Sequence, residues 1–171
     1  MLASQVIKTR KTPKSNNALW VAEQGRTAMI SLQAVDAEFV GSGSDWPKIL
    51  QALHEMQLVS WEDVCHTDFL WNFGRLINNT DMHLGNLSLG IKGKGFKLLP
   101  IYDMCSMGFA PKSGAELSPY RFSPPEIPAL NLDNKTILSV KKTARDFWQR
   151  VVGDERISTA FRNCIEISAG Y

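Results

Sequence analysis

Residues 75–90 read RLINNTDMHLGNLSLG, and how this stretch is read decides the fold. Asn78, Asn79, Asp81, His83 and Asn86 crowd into one loop, with an apolar segment before it and a Leu-Ser-Leu alternation after it. Upstream, Trp61, Val64, Cys65, Phe69, Phe73, Leu76 and Ile77 recur at spacings of three and four, which predicts a central core helix over 61–78. Downstream the period is two: NLSLGI, KGKG and FKLLPIY predict a β-hairpin with its tip at the Gly/Lys tetrad and Pro100 near the end of its second strand. The glycines of GIKGKG lie between two strands, not between a strand and a helix, so they read as a hairpin turn and not as a phosphate cradle.

Working outward, ALWVAEQGRTAMISLQAVDAEF (18–39) suggests a short strand or loop, a turn at Gly25 and a helix capped by Ser31 with Leu32, Val35 and Phe39 on one face. GSGSDWPKILQALHEM (41–56) suggests a loop and then a helix, with Ser44 or Asp45 as N-cap, Pro47 in the first turn, and Ile49, Leu50, Leu53 and Met56 as its buried stripe. The region 110–131 carries five of the eight prolines and reads as an irregular surface loop. Two helices follow. The first is expected from Asp133 to about Val152, with Ile137, Val140, Ala144, Phe147, Trp148 and Val151 on one side; the second from Asp154 to about Ser168, with Ile157, Ala160, Phe161, Cys164 and Ile165.

The composition suits a chain with a real core: of 171 residues, 44% are hydrophobic and 21% charged, and the net charge of +2 points to no particular partner. Residues 8–17, KTRKTPKSNN, are basic and aperiodic, which suggests a flexible lead-in with a solvated face and not a nucleic-acid arm. Cys65, Cys105 and Cys164 form no Cys-x-x-Cys pair, so neither a disulfide framework nor a zinc ribbon is supported, and a reduced, cytoplasmic setting is expected. No apolar run approaches the ~18 residues of a spanning helix, so no membrane segment or signal peptide is expected.

The loop has a chemical reading. Asp81 and Asn86 are separated by four residues, and Asp103 follows Asn86 by seventeen, across the hairpin. Phosphoryl transfer on a kinase scaffold needs this order: one carboxylate to orient the attacking hydroxyl, and two oxygen ligands to hold Mg²⁺ against the triphosphate. Asp, Asn and Thr also cluster in ordinary turns, so the preceding helix, the hairpin and the aspartate at its exit carry the weight. A metal-hydrolase reading on His54, His66 and His83 lacks any ligand-like spacing to a carboxylate.

RLINNTDMHLGNLSLG followed by LLPIYDMCSMGFAP resembles the catalytic-loop and metal-loop segments of HipA-like serine/threonine kinases, the toxins of bacterial toxin–antitoxin pairs, most closely the YjjJ-type branch. The resemblance runs from about Gly25 to the C-terminus. It implies a mainly α, protein-kinase-like C-terminal lobe with one short hairpin around the two loops, with ATP and Mg²⁺ as cofactors. It implies Asp81 as the catalytic aspartate with His83 as a second catalytic residue, Asn79, Asn86 and Asp103 as cofactor-binding residues with Asn86 and Asp103 as the metal pair, and it leaves Asn79 and His83 equally open to bracing the loop.

The family's N-terminal lobe, with its phosphate loop and strand lysine, is not recognisable. Residues 1–24, a lead-in or a remnant of an inter-lobe linker, are too few for a several-stranded sheet. The expectation is a truncated C-terminal kinase lobe, 25–171, inactive alone and partnered by an antitoxin or the missing lobe. The other class is a non-catalytic remnant that binds a protein partner.

Overall fold

The computed structural model describes residues 5–6, 28–110, 122–127 and 132–169. The lead-in at 8–17, the turn at Gly25, the boundary near it and most of the proline-rich loop lie outside these residues. The chain divides into two compact units, Met1–Asp63 with Leu84–Tyr102, and Val64–His83 with Asp103–Tyr171.

In the first unit the hairpin forms as expected, with β3 (Ser88–Lys92) paired antiparallel to β4 (Gly95–Leu98) from Leu89↔Leu98 to Lys92↔Gly95. Its two-residue turn begins at Gly93, whose φ of 59° is left-handed and suits glycine. The hairpin does not stand alone, however. β2 (Ala28–Ser31) pairs with β3 through Ile30↔Leu89 and Ser31↔Ser88, and β1 (Gln5–Val6) adds to the outer edge of β2. The single short hairpin expected from the sequence is therefore the edge of a larger antiparallel sheet.

Ser31 caps α1 (Leu32–Val35) as expected, its hydroxyl accepting from the Ala34 N–H at 3.3 Å, and Leu32 and Val35 are buried. Phe39 is exposed. The chain widens into a π-turn over Asp36–Val40, closed by the Gly41 N–H on the Asp36 carbonyl, and the longer period carries Phe39 off the buried face. The GSGS loop then wraps the buried Asp36 carboxylate, which accepts from Ser42 N at 3.2 Å and Gly43 N at 2.9 Å.

Asp45 caps α2 (Trp46–Glu55) by accepting from the Lys48 N–H, and Ile49, Leu50 and Leu53 are buried. Met56, expected in the same stripe, is 48% exposed because it falls beyond the last helical turn. There Gln57 adopts a φ of 60° while Gln57 N donates to the His54 carbonyl and Leu58 N to the Leu53 carbonyl, a left-handed closure of the helix.

The long helix, α3 (Trp61–Leu76), is two residues shorter than expected. Ser60 opens it, its hydroxyl donating to Asp63 Oδ2 at 2.6 Å and accepting from Asp63 N. Trp61, in the first turn, is 48% exposed and packs on His54, so the buried stripe starts at Val64.

The second unit holds the larger aromatic core. Leu76, Ile77, Leu132, Val140, Ala144, Trp148 and Ile165 are buried together, with Phe69, Phe73, Phe109 and Phe161 packed against them. Phe109 meets Trp148 and Phe161 edge-on at 5.7 Å and 5.4 Å between ring centroids. Trp148 belongs to α4 (Asn134–Gly153), which Asp133 caps through the Thr136 N–H at 2.7 Å; this bonding holds the Asp133 carboxyl below the usual carboxylate range. α5 (Thr159–Ala169) starts five residues later than expected. Asp154 instead follows the end of α4 and pairs with Arg156, whose hydrogen bonds lower the Asp154 carboxyl to about 2, and Ile157 lies in the turn between the helices.

The hairpin's close approach gives a test. A Cβ at Gly95 would collide with the Leu58 backbone carbonyl, which cannot move aside as a side-chain tip does, whereas Gly93 faces open space. Gly95→Ala is expected to cost about 1–3 kcal/mol in chemical denaturation. Gly93→Asn, which tolerates left-handed backbone, should stay within roughly 0.5 kcal/mol of the parent. Equal midpoints for the two variants would contradict this packing.

Candidate functional site

The polar loop begins where α3 stops. Asn78 takes a φ of 60°; its N–H donates to the Arg75 carbonyl at 3.2 Å, and the Asn79 N–H reaches back to the Gly74 carbonyl at 2.8 Å. These two bonds and a left-handed residue form a Schellman closure, in which asparagine substitutes for the usual glycine. The chain leaves the helix sharply, and Asn79 is delivered into a buried position.

The Asn79 amide then ties two loops together. Its Oδ1 accepts the Asp81 N–H at 3.0 Å, while its Nδ2 donates to the Asp103 carbonyl at 3.4 Å and approaches Met104 Sδ at 3.5 Å. The bond to the Asp81 N–H has ordinary length and the one to the Asp103 carbonyl is long, so the Asp81 side of the brace is the stronger. Within this unit one side chain therefore links the backbone at Asp81 to the backbone at Asp103.

Two glycines let the loops settle. A Cβ at Gly74, in the interior of α3, would collide with Met82 Sδ and press on Met104 Sδ. One methionine comes from each loop. A Cβ at Gly108 would strike the Asn78 amide, and the Gly108 N–H donates to the Asn78 carbonyl at 2.9 Å.

Asp81 and His83 line a hollow of about 390 Å³ together with Trp71, Asn79, Thr80 and Met82. His83 Nε2 lies 3.8 Å from Asp81 Oδ1, and both side chains are more than half exposed, so solvent screens the pair and it adds little to stability. Asp103 is also exposed and holds a φ of 55°, and among the described residues no hydrogen bond or ion pair engages its carboxylate.

Asn86 belongs to the first unit. It ends the 3-10 turn Leu84–Asn86 and is buried.

Asn86 and Asp103 are hard oxygen donors of the kind Mg²⁺ takes from a protein, and an accessible carboxylate suits that role. Among the described residues no three His, Cys, Asp or Glu side chains group as a metal site. His54, one of the three histidines of the hydrolase reading, faces the Val59 carbonyl through Nδ1 at 3.0 Å.

Elsewhere on α3, the buried Asp68 carboxylate accepts from Asn72 Nδ2 at 2.8 Å. Burial, reinforced by Asp68 and Asp133, pushes the Cys65 thiol up. Cys65, Cys105 and Cys164 form no disulfide. No helix among the described residues is long and apolar enough to cross a membrane.

The sequence matches no protein-family model. Over 140 residues, 81% of its length, the chain is 43% identical to Toxin YjjJ of Escherichia coli (strain K12). The match spans 31% of that protein, so the chain covers under a third of the relative's length.

Trp71, Gly74, Gly108 and Met104 were not singled out from the sequence. Gly74 carried a usable signal, since a glycine inside a helix costs up to roughly 1 kcal/mol relative to alanine and usually has a packing reason.

The brace predicts a divergence between two substitutions. Asn79→Ala leaves the Asp81 N–H without its partner and should cost about 1–3 kcal/mol, with faster hydrogen exchange at the Asp81 amide. Asn79→Asp keeps the acceptor and loses only the donor, so the Asp81 amide should stay protected. Equal exchange at Asp81 in both variants and the parent would show that Asn79 does not hold this loop.

Proposed function

We propose that the chain is the C-terminal catalytic lobe of a HipA-family serine/threonine kinase acting as a toxin, moving the γ-phosphoryl group of ATP to a protein hydroxyl. The observation that carries this reading is the Asn79 brace, which joins the backbone of the catalytic-loop aspartate to that of the second aspartate. Its similarity to a protein named as a toxin supports the biological half.

In this reading Asp81 accepts a hydrogen bond from the substrate hydroxyl and takes its proton as the oxygen attacks the γ-phosphorus and the bond to the β-phosphate oxygen breaks. ADP is the leaving group. His83, 3.8 Å from Asp81, helps to orient the carboxylate. Asn86 and Asp103 are the residues that hold Mg²⁺, which when bound supplies positive charge to the phosphates. Asn79 keeps the catalytic loop in register with the segment that bears Asp103.

Phosphoryl transfer depends on positioning and on charge stabilisation more than on covalent chemistry, and oriented reactants contribute roughly 7–11 kcal/mol. Asp81, Asn86 and Asp103 supply part of that. A phosphate-binding lobe that grips the nucleotide from the other side supplies the rest, and an antitoxin is the partner expected to restrain the assembled protein.

The test is transfer from labelled ATP to a generic protein acceptor by the 171-residue chain, by a longer protein that adds an upstream phosphate-binding lobe, and by the Asp81→Asn variant of the longer protein. The longer protein should be active and the short chain nearly inactive. The substitution should lower the rate by at least roughly 100-fold. Full activity in Asp81→Asn would remove Asp81 from its role, and inactivity of the longer protein would favour a protein-binding module.

A further inference from the structure

The turn that carries Asn86 is held by a side chain sixteen positions later, inside the same unit. The Tyr102 hydroxyl lies 2.6 Å from the Gly85 carbonyl oxygen and 3.0 Å from the Ser88 hydroxyl. A carbonyl oxygen can only accept, so Tyr102 donates its one proton to Gly85, and the Ser88 hydroxyl must then donate to the Tyr102 oxygen. The relay starts on β3, where Ser88 is 2% exposed, and ends on the peptide group whose nitrogen belongs to Asn86.

This matters because of what Asn86 sits on. Leu84–Asn86 is a single 3-10 turn, whose own hydrogen bonding has poor geometry, so its orientation depends on bonds from outside. The peptide between Gly85 and Asn86 is planar, and holding its oxygen fixes the direction in which the Asn86 backbone leaves it. At 2.6 Å the bond is at the short end of the range for O–H···O contacts.

We propose that Tyr102 is a positioning residue for Asn86: through the Gly85 carbonyl it fixes the turn that presents the Asn86 amide oxygen as a metal ligand. The assignment rests on the reading of Asn86 as an Mg²⁺ ligand. A ligand whose backbone is already oriented need not be ordered when the cation arrives, and loss of such outer partners typically costs roughly 10–100-fold in metal affinity.

Two substitutions separate positioning from general destabilisation. Tyr102→Phe removes the bond to Gly85, whereas Ser88→Ala removes a hydroxyl and a hydrogen bond from the same place but leaves Tyr102 on Gly85. Two measurements are made on the 171-residue chain: hydrogen exchange across residues 84–87, and the Mg²⁺ concentration needed for half-maximal ATP binding. For Tyr102→Phe, faster exchange and at least a tenfold higher Mg²⁺ requirement are expected; for Ser88→Ala, both should stay within about twofold of the parent. Unchanged exchange in Tyr102→Phe, or equal effects of the two substitutions, would overturn the assignment. Faster exchange in Tyr102→Phe with ATP binding that is indifferent to Mg²⁺ in the parent chain would instead defeat the metal reading of Asn86, and the assignment with it.

Discussion

The left-handed stop of α3 at Asn78 is the constraint on which the candidate site depends. A further turn of helix would spread Asn79, Asp81 and His83 around a cylinder at about 100° per residue, and the Asn79 amide would have no route to both loops. The stop is fixed from two sides. The Asn78 and Asn79 N–H groups close the last turn, and the Trp148 indole donates to the Leu76 carbonyl at 3.1 Å, satisfying an acceptor that the helix end leaves free. Trp148 is a core residue of α4, so the packing of the second unit and the position of its polar loop are one problem and not two.

The Asn78 side chain shows what this position selects. Its Nδ2 is buried with no hydrogen-bond partner among the described residues, and its amide lies where a Cβ on Gly108 would go. An unpartnered buried amide is costly, so what the position uses is the backbone conformation that asparagine tolerates. Asn79, next in sequence, is the reverse case: its backbone closes the helix, and its amide makes bonds on both sides. Two identical neighbours thus do unlike work, which no reading of residue types alone would separate.

What the sequence disclosed was local. Caps act on an N–H three residues ahead, within the reach of a sequence pattern: Ser31 is observed as expected, Asp45 is the one of the two candidates Ser44 and Asp45 that caps α2, and Asp133, expected as the first helical residue, caps α4 instead. Helix ends were less legible, because hydrophobic period continues past the point where hydrogen bonding stops: Met56 and Trp61 fit their stripes and are exposed. The pairing of β2 with β3 was missed, since Ala28–Ser31 has too little alternation to announce a partner nearly sixty residues away. Asp81 and Asn86 in the loop and Asp103 beyond the hairpin suggest a chemistry by their types and spacing, and that reading remains a proposal. Bracing by Asn79 was one of two open readings, but its partner at Asp103 and the role of Tyr102 were not legible, because a hydrogen bond between distant segments leaves no periodic trace.

Asp103 supplies the remaining step. At a φ of 55° a side chain is tolerated only with difficulty, at a cost of roughly 1–2 kcal/mol for most residues and less for aspartate and asparagine. Glycine would remove that cost. The aspartate side chain makes no hydrogen bond or ion pair among the described residues that would offset it, and it points to solvent, so it adds nothing evident to the fold. Its neighbours explain the conformation instead: the Asp103 carbonyl accepts from Cys105 N at 3.0 Å and from the Asn79 amide, and a left-handed residue turns the chain so that both can reach it. The backbone thus requires the left-handed turn, while among the described residues no hydrogen bond or ion pair requires the carboxylate. Under the proposed kinase reading, this exposed carboxylate is the one assigned to Mg²⁺.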